Sequence, residues 1–216
     1  MGKINVVLMS GSDTGCAYAQ FLSKKPQVEL VKVITGPDSV RGRGKKTKRA
    51  VVANFCDSAR LDVCQPEDVN SPESLKIIKE AGARMALVVD YGQILSGELL
   101  DAFPLGAFNI HYSLLPDLRG ASPVRGALMK GYRRTGVTLM EMNEKIDKGG
   151  IIMQKEVDIN PDDNHAALKD KLTKEGIALL DNFLDDILSG KKINAVPQQE
   201  DENSSYISKI DKSLCA

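Results

Sequence analysis

The chain has no excess of charge of either sign, with 29 Lys and Arg against 29 Asp and Glu. A zero sum creates no long-range field to draw in nucleic acid or a membrane surface. Any such partner must be met by a local cluster acting within about 8–10 Å at ordinary salt. No apolar run approaches the roughly 18 to 20 residues of a bilayer span. The opening MGKINVVLMSGSD lacks the longer apolar region and cleavage site of a secretory leader. Val6 stands where N-myristoylation asks for Ser or Thr. The expectation is therefore a cytoplasmic protein with no membrane partner. Cys16, Cys56, Cys64 and Cys215 are scattered without C-x-x-C spacing, which excludes the usual zinc and redox patterns. No His/Cys/Asp cluster has ligand spacing, so no metal is expected. Internal repeats are absent as well.

What is present is an ordinary globular composition, 42% apolar and 27% charged. INVVLM (4–9) and ELVKVI (29–34) are short β-branched runs with the helically spaced AYAQFLSKK between them. LDVC (61–64), PESLKIIKEAGA and RMALVV (84–89) repeat the pattern, and GAFNIH (106–111) predicts a further strand. Continuous apolar strands alternating with helices imply an α/β fold: a Rossmann-like, open, mostly parallel twisted sheet with helices on both faces. From Thr135 the texture changes. GVTLMEM and IIMQKEVDI read as an antiparallel C-terminal strand pair, and residues 165–190 as a long closing helix with Gly190 as its stop. The domain is expected to cover 1–190, and the polar segment 191–216 reads as a linker-like tail.

Asn109 and His111 stand two apart on a predicted strand, so their side chains share one face of the sheet. They also lie at its carboxyl end, where open α/β sheets bind ligands. Taken alone, a hydrogen-bonded core histidine beside a turn asparagine is the plainer reading. The rigid exit Ser113-Leu-Leu-Pro116 adds weight, as does Ser122-Pro123, which predicts a capped helix start. Asp147 follows in a Gly-rich loop at a strand end. An amide, an imidazole and a carboxylate brought together would suit amine acylation. The first two can donate to a developing oxyanion while the third holds the imidazole and helps remove the amine proton.

The blocks FNIHYSLLPDLRGASPVRGAL and TGVTLMEMNEKIDKGGII resemble the N-x-H-x-S-L-L-P … D signature of the 10-formyltetrahydrofolate-dependent formyltransferases. TGPDSVRGRGKKTKRAVV and VVDYGQIL are similar to the branch of that family that formylates initiator methionyl-tRNA in translation initiation. The resemblance implies the formyltransferase fold and a catalytic trio of Asn109, His111 and Asp147. It implies folate contacts at Ser113, Leu114, Leu115 and Pro116, and pterin walls from Tyr91, Gly92, Gln93 and Ile94 and from Met140, Glu141, Met142, Asn143 and Glu144. The formyl donor implied is 10-formyltetrahydrofolate, the acceptor initiator methionyl-tRNA, and the protein a monomer.

The basic run Arg41, Arg43, Lys45, Lys46, Lys48 and Arg49, interleaved with Gly42 and Gly44, is a plausible phosphate-binding element in a chain of zero net charge. By the same resemblance it matches the insertion that reaches the tRNA acceptor end. Tyr112, Asp90 and the SGSDTGCA turn depart from the family pattern. The family's C-terminal β-rich tRNA-binding domain is expected to be absent from this chain. Two rival readings remain: a formyltransferase acting on a small amine such as an amino sugar nucleotide, and a folate- or RNA-binding fragment without catalysis.

Overall fold

The computed structural model describes residues 2–41, 46–200, 202 and 204–209. The chain forms two compact units, Met1–Phe108 and Asn109–Ala216, and the boundary falls inside a strand.

The first unit holds β1 (Ile4–Met9), α1 (Thr14–Lys24), β2 (Val28–Ile34), the short β3 (Ser39–Arg41) and β4 (Lys46–Lys48), α2 (Val51–Ala59), β5 (Val63–Cys64), α3 (Pro72–Glu80), β6 (Met85–Val88), α4 (Gly97–Asp101) and the start of β7 (Ala107–His111). Strand β1 pairs in parallel with β2 and with β6, and β2 with β5. All six residues of β1 except Asn5 are buried, as a parallel strand covered on both faces requires. Asp13 caps α1 by accepting from the Thr14 N–H. Gly15 in the first turn leaves room for the Ser10 hydroxyl, which lies where a β-carbon would stand. Helix α2 occupies a stretch where the sequence reading places no element. Its buried face, Val52, Ala53 and Cys56, is too short for a periodicity signal beside the basic run. β3 and β4 form an antiparallel pair, Ser39 opposite Lys48 and Arg41 opposite Lys46. Arg43 and Lys45 lie outside the described residues.

The second unit holds the rest of β7, α5 (Pro123–Met129), β8 (Arg134–Glu141), β9 (Ile151–Asp158) and α6 (His165–Leu188). The strand order is β5-β2-β1-β6-β7-β8-β9. β8 and β9 are antiparallel, with a register shift between Leu139 and Met140. The fold is the expected Rossmann-like, mostly parallel sheet flanked by helices, with an antiparallel C-terminal pair. Asn164 caps α6 by accepting from Ala167 N–H at 3.0 Å. The buried face of α6 includes Leu168, Leu172, Leu180, Phe183 and Leu184, each burial contributing about 1.5–3 kcal/mol. Ser122 makes no side-chain capping bond to α5, contrary to expectation; its ψ of 45° departs from the extended backbone usual for a cap.

The described part of the polar tail is attached. Ile151 and Val196 exchange backbone hydrogen bonds at 2.8 Å in both directions, Arg119 N–H donates to Ser205 O at 2.9 Å, and Ile207 N–H donates to Arg119 O at 2.7 Å. Main-chain pairing needs no apolar side chain, so hydropathy cannot register it.

Candidate active site

Asn109 and His111 end β7, and the intervening Ile110 points into the core, 3% exposed. Asp147 arrives from the loop between β8 and β9. Its Oδ1 accepts from Asn109 Nδ2 at 3.4 Å and lies 3.6 Å from His111 Nδ1. The second distance exceeds hydrogen-bond length, so imidazole and carboxylate face each other without a closed bond. Both side chains are largely buried, 7% and 11% exposed, where an electrostatic contact is little screened.

The imidazole has a defined tautomer. His111 Nε2 lies 2.9 Å from Leu118 O. A carbonyl can only accept, so Nε2 carries the proton and Nδ1 is left facing Asp147. When the ring takes a second proton, Nδ1–H becomes a donor into the site.

Asp147 has a left-handed backbone, φ 52°, which costs a residue with a β-carbon about 1–2 kcal/mol. Its Oδ2 is held by the Gly120 N–H at 2.7 Å. Gly149 must be glycine, because a β-carbon there would collide with the Glu141 carbonyl at the end of β8. The loop carrying the carboxylate is thus pressed against the sheet.

The Ser113-Leu-Leu-Pro116 turn is stapled to β8 and β9. Thr138 Oγ1 donates to Ser113 O at 2.7 Å and accepts from Leu115 N at 3.2 Å, while Gln154 Nε2 donates to Leu115 O and to Thr138 Oγ1, both at 2.9 Å. Ser113 Oγ donates to Asp117 O at 2.5 Å. Ser113 and Leu115 are buried, leaving the half-buried Leu114 and Pro116 as the more accessible side chains of the turn. Tyr112 points elsewhere, its hydroxyl 3.0 Å from Thr173 Oγ1 on α6. The residue is buried, 6% exposed.

Met140 is buried, Met142 half-buried, and Glu141, Asn143 and Glu144 are exposed along the approach to Asp147. Asn143 braces that loop by donating to Lys148 O at 3.2 Å. In the first unit, Ile94 is 62% exposed, whereas Gln93 is committed to its own neighbours: Oε1 accepts from Val69 N at 2.8 Å and Nε2 donates to Glu67 O at 3.2 Å. A side chain at Gly92 would meet open space. Burial pushes the Tyr91 phenol up to about 12, helped by Cys64 and Asp68. Asp90 has φ 49°, and its carbonyl accepts from Gly11 N at 2.9 Å while its side chain is exposed.

The basic run is not uniform. Arg49 forms a two-point pair with Asp57, Nε to Oδ2 at 2.8 Å and Nη2 to Oδ1 at 3.0 Å, and its Nη1 donates to Gln65 at 2.9 Å. Lys48 is exposed, and Arg41 and Lys46 are placed by their backbone pairing.

Gly120, Leu118 O and Arg119 are contacts that residue-type reasoning missed. Two of them act through the main chain, and only the glycine just after Arg119 hints at one. Arg119 is 5% exposed and grips both carboxylate oxygens of Glu200 at 2.9 and 3.1 Å. Hydrogen bonds from Lys148 and then Arg119 hold the Glu200 carboxyl below its ordinary value. Among the described residues no group of three or more His, Cys, Asp or Glu could hold a metal ion, and no helix is long and apolar enough to cross a membrane.

Residues 3–184 match the family model described as formyl transferase. The chain is 38% identical over 184 residues to a methionyl-tRNA formyltransferase of Syntrophomonas wolfei, covering 85% of this chain and 58% of that protein. It is 35% identical over 209 residues to one of Kosmotoga olearia, covering 97% and 66%. The chain therefore spans about three-fifths to two-thirds of the length of these relatives. In fold it is similar to an N-formyltransferase from Helicobacter canadensis in complex with folinic acid and dTDP-3-aminofucose. That match has TM-score 0.69 at 19% identity, covering 95% of this chain and 71% of that one.

Proposed function

The chain belongs to the formyl transferase family, and on that premise we propose that it transfers the formyl group of 10-formyltetrahydrofolate to the α-amine of methionine on initiator tRNA. The observation that carries the reading is the meeting of Asn109 Nδ2, His111 Nδ1 and Asp147 Oδ1 within 3.4–3.6 Å in a largely buried setting. Relatives named as methionyl-tRNA formyltransferases support the acceptor, and the folinic acid in the related fold supports a folate donor.

The chemistry follows from the donors and acceptors present. The amine nitrogen attacks the formyl carbon, a C–N bond forms, and the carbonyl oxygen takes on negative charge. Asn109 Nδ2 and the protonated His111 Nδ1 are the donors that stabilise that oxyanion. Asp147, with Oδ2 secured by Gly120, is the acceptor for the amine proton. Collapse of the intermediate breaks the bond between the formyl carbon and folate N10, the electron pair returns to N10, and the proton removed from the amine completes it. No metal enters this scheme.

Folate contacts are assigned to Ser113–Pro116, Tyr91–Ile94 and Met140–Glu144, and phosphate contacts to the basic run around Lys48. The protein in this reading is a cytoplasmic monomer.

The decisive experiment is His111→Ala. Formylation of charged initiator tRNA is expected to fall by about 10²–10⁴-fold while folate binding, followed by ligand fluorescence, stays within a few-fold of the parent. Near-normal turnover overturns the catalytic assignment. Turnover of an amino sugar nucleotide in preference to the charged tRNA overturns the acceptor.

A further inference from the structure

The tail contributes to the site through one side chain. Gln198 Nε2 donates to the carbonyl oxygens of Asp147 and of Gly149, at 2.9 and 2.8 Å. Its Oε1 accepts from Arg119 Nε at 3.1 Å and from Nη2 at 2.7 Å. All four hydrogen-bonding positions of the amide are thereby used, which also fixes which end is oxygen and which nitrogen. Arg119 turns its remaining nitrogen to Glu200 at 2.9 Å, and Lys148 Nζ reaches the same carboxylate at 2.9 Å.

Two supports therefore converge on one residue. The Gly120 N–H, next in sequence to Arg119, holds the head of Asp147. Gln198 holds its main chain. The carbonyl of Asp147 cannot swing without breaking its bond to Gln198, and the direction of that carbonyl sets ψ at a residue whose φ is already 52°. A left-handed residue with a β-carbon persists only where its surroundings over-determine it. The loop's other side is closed by the Glu141 carbonyl against Gly149 and by Ala195, which a β-carbon at Gly150 would meet at 2.8 Å. Relaxation would carry the carboxylate away from His111.

We propose that Gln198, held in place by the buried Arg119, is a positioning residue that sets the Asp147 carboxylate against His111, making the tail around Gln198 part of the active site's support. The proposal rests on the formyl-transfer reading for its kinetic consequence, though not for its structural one.

The test uses the full chain with Gln198→Ala and the isosteric Gln198→Glu, which keeps an acceptor for Arg119 and removes both donors. Misplacement of a reacting group by about 1 Å costs about 10²-fold, so kcat is expected to drop about a hundredfold with KM for donor and acceptor within threefold. In an Asp147→Asn background, either Gln198 change is expected to remove almost nothing further. The exposed neighbour Gln199→Ala should leave turnover unchanged. Turnover of both Gln198 variants within threefold of the parent overturns the proposal. So does an equal loss with and without Asp147.

A second readout needs no substrate. The chain has 2 His, so the ring nitrogens of His111 can be resolved by NMR once His111→Ala identifies them. Gln198→Glu is expected to move those resonances towards their positions in Asp147→Asn. If Asp147→Asn moves them and Gln198→Glu leaves them at the parent positions, the proposal fails whatever the enzyme's substrate. Absence of formyl transfer by the parent chain counts against the functional reading and leaves this readout intact.

Discussion

The backbone N–H of Gly120 donates to Asp147 Oδ2 at 2.7 Å, so a carboxylate from the β8–β9 loop is aimed by a main-chain donor on the segment that follows β7. Gly120 has φ 100°, and a β-carbon there would meet Ile207 O at 2.5 Å and the Tyr206 ring at 2.8 Å. Gly120→Ala is expected to cost about 1–3 kcal/mol of stability and to lower kcat at least tenfold, because the tail and the donor must both move. Urea unfolding and steady-state formylation measure the two effects.

Thr138 is the staple beneath the Ser113–Pro116 turn. Thr138→Val keeps the shape and removes the hydroxyl shared by Ser113 O and Leu115 N, leaving two buried backbone groups short of a partner. The expected loss is about 2–4 kcal/mol, read as a fall in Tm of roughly 4–16 °C for a domain of this size. A Tm unchanged within 2 °C would show that the turn is held by other contacts.

Lys48 and Arg49 should separate in tRNA binding. Lys48 is exposed and Arg49 is engaged with Asp57 and Gln65. Lys48→Ala is expected to reduce the slope of log affinity against log salt by about one unit. Arg49→Gln should leave that slope nearly unchanged. A full-unit change from Arg49→Gln contradicts the pairing seen here.

Glu200 makes the tail acid-sensitive. Lys148 and Arg119 hold its carboxyl below the ordinary value, so its contribution is present above the unfolded value of about 4.3 and is lost as pH falls further through the folded one. Limited proteolysis between pH 6 and pH 3.5 should show the tail cut earlier than the β8–β9 core as pH drops. In Glu200→Gln that acid-dependent change is expected to flatten, and an unaltered profile would place the acid sensitivity in other groups.

The alternation of buried strands and helices, the antiparallel pair after Thr135 and the long closing helix were legible because each is a local periodicity of apolar residues. Asn109 and His111 were legible as a pair because strand geometry puts alternate residues on one face. Helix α2 was hidden by its brevity and by the charges before it. The linker reading of residues 191–216 met its limit for a different reason: Val196, Ser205 and Ile207 are tied by backbone bonds, and Gln198 by an amide that hydropathy counts as solvent-seeking.

By itself the sequence determined the strongly periodic elements and the chemical identities of the amide, the imidazole and the carboxylate, since both are properties of neighbouring residues and of residue type. Only the tertiary structure decided that Leu118 O sets the His111 tautomer, that Gly120 holds the Asp147 carboxylate while Gln198 holds its carbonyl, and that Arg49 faces Asp57. Two of those contacts span 27 and 51 residues of sequence, and most of them pass through the main chain, whose donors and acceptors are the same at nearly every residue.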